Sequence, residues 1–158
     1  MLKGAENFEA DKYGVKPYIT KYYLLNLSIE LFDNIKIIPF IASIGLLFVT
    51  YLITKEITNR RFAGIISILV VLQSSLFLKY DTIATYENFW TLFYFISIYL
   101  IIKRWYLSPF IFMISVFSKS LTVLFLPITL FFVFRSKISR KGKIFTYILY
   151  AIIKNITI

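Results

Sequence analysis

Three long stretches without a charged residue constrain this chain most strongly, at residues 37–54, 62–78 and 89–102. A helix needs about 20 mainly apolar residues to cross a bilayer, and its backbone polar groups must be satisfied within the segment. The chain is 59% hydrophobic, and its mean hydropathy is +0.76, which is not typical of a soluble domain. The sequence therefore predicts an all-α fold, a polytopic membrane helix bundle.

The basic residues predict how this bundle is oriented. Segments 55–61, 103–106 and 135–143 hold ten of the 18 basic residues and one of the eight acids. Because basic loops tend to stay in the cytoplasm, we expect these three segments on the cytoplasmic side of a multi-pass cell-membrane protein. Residues 1–34 and 79–88 then face outward. The net charge of +10 is explained by these loops, without a nucleic-acid partner.

The N-terminal part of the chain has a different pattern. After Pro17, apolar residues recur at helical spacing up to Phe32, with polar residues between them. This pattern predicts an amphipathic helix in the membrane interface, ended by Asp33 and Asn34. We thus expect one membrane domain over residues 1–158, in which residues 1–34 form an outer loop and this helix. Residues 35–158 then form the transmembrane helices.

Lys119 interrupts the apolar segment 107–134. A single span would place this lysine in the bilayer core, at a cost of about 2.5–3.5 kcal/mol, and would put segment 135–143 outside. A short broken hairpin, with arms at residues 109–117 and 121–134, instead brings Lys119 to the outer side. The sequence favours the hairpin, although each arm is shorter than an ordinary span.

Three lysines are candidates for binding a lipid phosphate: Lys16, Lys21 and Lys119. Lys16 and Lys21 flank the start of the interfacial helix, where exposed amide groups favour an anion. For these two, general attraction to anionic headgroups is an equal alternative. For Lys119 the alternative is a lysine whose ammonium simply reaches the membrane surface.

Asp81, Glu87 and Asn88 belong to the polar turn at residues 79–88. Carboxylates are costly in hydrocarbon, so this turn is expected at the outer face. It is either an ordinary solvated turn or the acidic rim of a binding cavity.

The chain has no cysteine and no histidine. This composition excludes disulfides, zinc sites of the Cys/His type and a Ser-His-Asp arrangement within the chain. Acid–base chemistry would have to come from Asp, Glu, Lys or Tyr.

The order of these features resembles the N-terminal third of the polyprenyl-phosphate-sugar-dependent glycosyltransferases of the C-type membrane fold. That group contains the protein O-mannosyltransferases and the lipid A aminoarabinose transferases. Its outer Lys-Pro pattern, and the Asp-Asn turn that ends its interfacial helix, are similar to residues 16–21 and 31–34. Its outer segment with a Glu/Asp-Asn pair is similar to residues 79–88, and its Thr-Lys-Gly in a broken hairpin to residues 118–120.

The resemblance implies a transferase that moves a sugar from a polyprenyl-phosphate carrier to an acceptor on the outer face. It implies polyprenyl phosphate and membrane lipids as partners and the polyprenyl-phosphate sugar as donor. It does not decide whether a divalent metal ion is required. The family's first membrane helix and its outer Asp-Glu pair, which includes the acid assigned to catalysis, would precede Lys16. Glu6, Glu9 and Asp11 lie too close to Lys16 to replace that pair. The resemblance therefore implies a fragment without an identifiable catalytic residue, which would turn over its donor poorly when alone.

A different class of function remains open beside the glycosyltransferase. The chain could be a small non-catalytic subunit whose apolar faces pack against other subunits of a larger membrane complex. Part of a transporter is a third alternative, for which the sequence shows no paired inverted repeat.

Overall fold

The computed structural model describes residues 19–75, 77–78 and 87–157, which are helical almost throughout and include no strand. The α-helices are α1 (Ile19–Phe32), α2 (Ile37–Thr58), α3 (Arg61–Leu72), α4 (Glu87–Lys103), α5 (Ser108–Ser118), α6 (Leu126–Arg135) and α7 (Arg140–Thr157). Short 3₁₀ helices lie at Trp105–Leu107 and Ser120–Phe125. The prediction of an all-helical chain is confirmed for these residues.

Helix α4 is the centre of the fold. It makes its most extensive contacts with α5 and α2, while α3 packs against α2. Helix α1 packs against α2 and α5, and α7 packs against α5 and α6. The main core lies between these helices and consists of buried side chains from α2, α4, α5, α6 and α7, among them Val49, Ile98, Phe112, Val133 and Tyr150.

The first apolar stretch forms a longer helix than the sequence predicted. Lys55 and Glu56, predicted to lie in a polar loop, continue α2, since both residue types are good helix formers. The helix ends at Asn59, which adopts the left-handed conformation with a φ of 55°. The predicted loop at residues 55–61 was therefore too long, and Asn59 and Arg60 alone separate α2 from α3.

The second apolar stretch does not form one continuous helix. Helix α3 ends at Leu72, and the chain breaks at Gln73 and Ser74. The Ser74 hydroxyl accepts a hydrogen bond from the Phe77 amide at 3.3 Å, so a new helical stretch begins there. The uncharged stretch at residues 62–78, predicted as one span, is therefore interrupted after Leu72, because the serine hydroxyl offers the backbone another hydrogen-bond partner.

The chain breaks at Lys119, as predicted. Lys119 is extended, with φ −156° and ψ 113°, between α5 and the second 3₁₀ helix. The rings of Phe112 before the break and Phe125 after it lie 6.3 and 5.5 Å from the ring of Tyr94. The two arms therefore return along the same side of α4 and form a hairpin. The second arm differs from the prediction, because it begins as a 3₁₀ helix and becomes α-helical only at Leu126.

Helix α1 ends where the sequence predicted. Asp33 has a φ of 52°, and its amide donates to the Ile29 carbonyl at 2.8 Å. The buried Ser28 hydroxyl donates to the Asn34 carbonyl at 2.6 Å and accepts from the Ile38 amide at 3.1 Å. These bonds fix the end of α1 to the start of α2.

The predicted apolar stripe of α1 is only partly buried. Leu25 packs in a small second core with Ala42 and Phe89, whereas Phe32 and the neighbouring Leu31 are exposed. Apolar side chains thus occur on both faces of α1, so the division into an apolar and a polar face is weaker than predicted.

The outside of the molecule is strongly apolar. More large apolar side chains are exposed than buried among the described residues, and the most exposed are Phe62 at 72% and Leu124 at 71%. Serine and threonine, by contrast, are frequent in the interior. In the described ranges one helix, α2, is long and apolar enough to cross a membrane. Shorter apolar helices make up most of the remaining bundle.

Candidate functional site

Lys119 lies at one end of the bundle, at the break of the hairpin. Its Nζ atom is placed over the Trp90 ring, 5.5 Å from the ring centroid. An ammonium over an indole face is attracted by the negative face of the ring. The side chain is partly exposed, so the arrangement holds a positive charge at the end of the bundle where α4 begins.

Hydrogen bonds on both sides of the break fix this geometry. The Lys119 amide donates to the Ser115 carbonyl at 3.0 Å, and the Thr122 hydroxyl donates to the Lys119 carbonyl at 2.7 Å. The Ser115 hydroxyl also donates to the Trp90 carbonyl, at 2.7 Å. The Trp90 ring packs against Phe125, with centroids 5.5 Å apart. Ser115 therefore bonds to the backbone of both Lys119 and Trp90, and this fixes the break relative to the aromatic ring.

Asn88 lies inside the bundle at this end. Its side chain is 5% exposed, and its Nδ2 atom donates to the Ser43 hydroxyl at 2.5 Å. Asn88 thus connects the first turn of α4 to α2. Asn88 is therefore a packing residue inside the bundle. Of the three residues predicted to form the acidic rim, only Asp81 and Glu87 are left for that role.

The other predicted site residues are described in part or not at all. Lys16 and Asp81 lie outside the described residues. Lys21 and Glu87 belong to the backbone of α1 and α4, but their side chains lie outside the description. Helix α1 packs against α5, and Glu87 begins α4 one turn before Trp90. The convergence of Lys16 and Lys21 with Lys119 stays a prediction.

The basic segments meet at the opposite end of the bundle. Lys103 donates to the Glu56 carboxylate at 2.8 Å, and this carboxylate raises the pKa of Lys103 above its usual value of 10.5. The rings of Trp105 and Phe145 are 6.3 Å apart, which places the start of α7 beside the end of α4. From Trp90, beside Lys119, to Lys103 at this end, α4 rises by about 20 Å.

Sequence reasoning missed Trp90, the aromatic partner of Lys119. The available signal was its position near the start of an apolar stretch, where tryptophan is frequent in helices that reach a membrane interface. What the sequence could not show was which charged side chain would lie over its ring.

A second missed feature is a buried hydroxyl cluster between α4, α5 and α7. It consists of Ser97, Ser108 and Tyr150, none of which is exposed. The Ser108 hydroxyl donates to the Ser97 carbonyl at 2.8 Å and lies 2.7 Å from the Tyr150 hydroxyl. The Ser97 hydroxyl donates to the Ser108 carbonyl at 3.1 Å. These bonds join three helices by neutral groups, so we interpret the cluster as structural.

Comparison with known proteins finds no match: no family model, no curated protein and no solved structure is similar to this chain. Within the described residues, no group of three His, Cys, Asp or Glu side chains could hold a metal ion.

Proposed function

We propose that this chain is the membrane-embedded part of a glycosyltransferase that takes its sugar from a polyprenyl-phosphate carrier, with Lys119 as a ligand of the carrier phosphate. The observation that carries the proposal is the placement of Lys119. It is held at a break between two helices, over Trp90, at the end of the bundle opposite the basic segments. A charged side chain inside a mainly apolar segment is expensive and is usually retained for a function.

The distribution of side chains supports a membrane location. Contiguous apolar surface on a folded protein marks a site of contact with lipid or protein. In α3, the exposed residues include Phe62, Ile65 and Leu69, and the outside of the hairpin exposes Leu124 and Phe131. Small hydroxyl residues between the helices, as in the cluster around Ser108, are typical of helix packing in a bilayer.

The chemistry expected of Lys119 is electrostatic. When the sugar leaves, negative charge increases on the lipid phosphate, and a fixed ammonium beside it lowers the energy of the transition state. An ammonium has three N–H donors, so it can remain over the Trp90 ring while donating to phosphate oxygens. In this proposal the general base that activates the acceptor hydroxyl is a carboxylate, as the family resemblance implies.

Binding of the carrier tests the site directly. We expect Lys119→Ala to weaken binding of polyprenyl phosphate to the chain in nanodiscs by about tenfold or more, because a hydrogen bond to a charged group contributes about 1.5–3 kcal/mol. Lys119→Arg should keep part of the affinity, since the phosphate needs a cation more than a particular shape. Titration calorimetry with a short-chain polyprenyl phosphate would measure both effects.

The matched control for this experiment is Lys36→Ala. Lys36 is an exposed lysine just before α2, so its replacement removes the same charge without touching the hairpin. Equal affinities of the native chain, Lys119→Ala and Lys36→Ala would contradict the phosphate role of Lys119.

The orientation of the bundle can be tested separately. The chain has no cysteine, so Asp33→Cys and Ser139→Cys each introduce the only thiol of the chain at an exposed position. We expect an impermeant thiol reagent added to intact cells to label Asp33→Cys and to leave Ser139→Cys unlabelled. Labelling of Ser139→Cys from outside would refute the proposed orientation.

The exposed face of α3 favours a second candidate, a non-catalytic subunit of a larger membrane complex. Helix α3 has 12 residues and contacts mainly α2, so most of its apolar side chains face outward. If the purified chain ignores polyprenyl phosphate and copurifies with a larger membrane complex, the subunit is the better description.

A further inference from the structure

We infer that the end of the bundle opposite Lys119 is a binding surface for the headgroups of anionic lipids. We call this surface the basic end. It is formed by the basic side chains of segments 55–61, 103–106 and 135–143. The inference rests on the membrane location proposed above and does not depend on the phosphate site at Lys119.

The basic end carries an excess of positive charge. The three segments contain ten basic residues and one acid, Glu56, and that acid is already paired with Lys103. Lys143 is engaged as well, because its Nζ donates to the Phe134 carbonyl at the end of α6, at 2.5 Å. Lys137 between α6 and α7, and Arg140 and Lys141 in the first turn of α7, have exposed side chains. Clustered like charges repel one another unless an anion lies between them.

The surface around these cations is aromatic and apolar. Trp105 and the exposed Tyr106 lie at the same end, and the exposed rings of Phe134 and Phe145 adjoin it. Aromatic side chains next to cations, with apolar side chains beyond them, are the arrangement found where a helix passes from hydrocarbon to headgroups. A nucleic acid or an acidic protein would not require the apolar border. The chemistry fits a phospholipid with a net negative charge, such as phosphatidylglycerol.

The two tryptophans of the chain make the inference testable, because they lie at opposite ends. Trp105 is at the basic end, and Trp90 is beside Lys119. Two reporter chains, Trp90→Phe and Trp105→Phe, would each retain one tryptophan. They are reconstituted into vesicles of phosphatidylcholine and phosphatidylglycerol in a fixed ratio. Each reporter chain is measured twice, once with brominated phosphatidylcholine and once with brominated phosphatidylglycerol. The bromine is near the top of the acyl chains and quenches nearby tryptophan fluorescence.

The expected result is a stronger preference for phosphatidylglycerol at the basic end than at the end that carries Lys119. Trp105 should be quenched more strongly by brominated phosphatidylglycerol, with a relative association constant about threefold to fivefold above that of phosphatidylcholine. The preference should fall when salt is raised to about 0.5 M, since salt screens exposed charges. Trp90 should show a weaker preference than Trp105, because Lys119 contributes a single charge beside it whereas the basic end carries ten basic residues.

A charge-neutral variant tests which side chains are responsible. Lys137→Gln, Arg140→Gln and Lys141→Gln combined should lower the relative association constant at Trp105 to below about twofold, because three of the ten basic residues of the basic end are removed. The charge-conserving combination Lys137→Arg, Arg140→Lys and Lys141→Arg should keep the preference. Lys143 is left unchanged, because its bond to the Phe134 carbonyl connects α7 to α6.

The outcomes separate this inference from the membrane location. Equal quenching of Trp105 by the two brominated lipids in the chain that carries all native cations overturns the inference and leaves the membrane location standing. A preference that the charge-neutral combination does not lower overturns the inference, because these exposed cations of the basic end would then contribute nothing to lipid binding. If neither lipid quenches either tryptophan, both the inference and the membrane location on which it rests are wrong.

Discussion

Replacing Tyr150 with alanine is expected to lower the free energy of unfolding of the bundle by about 3–5 kcal/mol, the range found when a large buried aromatic side chain is truncated. Tyr150 is fully buried where α7 meets α4 and α5. Its ring packs edge-on against Phe112 with centroids 5.2 Å apart, and its hydroxyl lies 2.7 Å from the Ser108 hydroxyl. Alanine would remove the contacts of the ring and leave a cavity between three helices.

The variant Tyr150→Phe divides this effect into its two parts. It keeps the ring and removes the hydroxyl, while Ser97 and Ser108 retain their bonds to each other's carbonyl groups. The expected loss is about 0.6–1 kcal/mol, the usual net contribution of such a hydrogen bond in a membrane protein or a soluble one. Unfolding in mixed micelles by increasing detergent, followed by loss of helical circular dichroism, would measure both variants.

An exposed tyrosine provides the control. Tyr23 is 67% exposed, so Tyr23→Ala should leave stability almost unchanged. If Tyr150→Phe cost as much as Tyr150→Ala, the hydroxyl cluster and not the ring would hold the three helices together. A loss below about 1 kcal/mol for Tyr150→Ala would contradict the packing of α7 described above.

The break at Lys119 could be predicted from the sequence because one energy dominates there, the cost of placing a charged side chain in hydrocarbon. A lysine in the centre of an apolar segment has few inexpensive positions, and a chain break at the end of the bundle is one of them. The structure has that break, and the second arm returns beside α4. The 3₁₀ geometry after the break could not be predicted in the same way, because it differs from an α-helix by a small local energy.

Helix ends were predicted less well than the helices themselves. The absence of charge marks where a segment could be buried, whereas a helix continues as long as its residues favour it. Lys55 and Glu56 are charged and nevertheless extend α2. Ser74 lies in the uncharged stretch 62–78, and the helix is interrupted there. Charge and helix propensity are therefore separate signals, and the predicted bounds relied on the first alone.

Contacts between helices could not be predicted from the sequence. Ser97, Ser108 and Tyr150 are separated by 11 and 42 residues, and each alone is an ordinary residue of an apolar helix. The contact of Lys119 with Trp90 likewise depends on how α5 lies against α4. Such pairings follow from helix packing, which periodicity within one helix does not specify.

The substitution Gly64→Leu is expected to lower the free energy of unfolding by about 3 kcal/mol, at the upper end of the range for overpacking. Gly64 is buried where α3 crosses α2. A Cβ atom at this position would lie 2.5 and 2.7 Å from two carbon atoms of the Tyr51 ring and 3.0 Å from the Tyr51 carbonyl oxygen. The ring could turn away, but the carbonyl belongs to the backbone of α2, so any side chain at position 64 must push the two helices apart.

The comparison that isolates this clash is Gly64→Ala against Gly45→Ala. Both replacements gain about 1 kcal/mol in helix propensity, and both occur inside a helix. A Cβ at Gly45 would meet the nearest atom, in Leu92, at 3.4 Å, which is close to ordinary van der Waals contact. Gly45→Ala should therefore be neutral or slightly stabilising, while Gly64→Ala should be less stable than Gly45→Ala by about 1–3 kcal/mol. Equal stability of the two variants in the same detergent titration would mean that α3 does not approach α2 as closely as the structure shows. The face of α3 that is turned toward α2 would then also be available to lipid or to a partner.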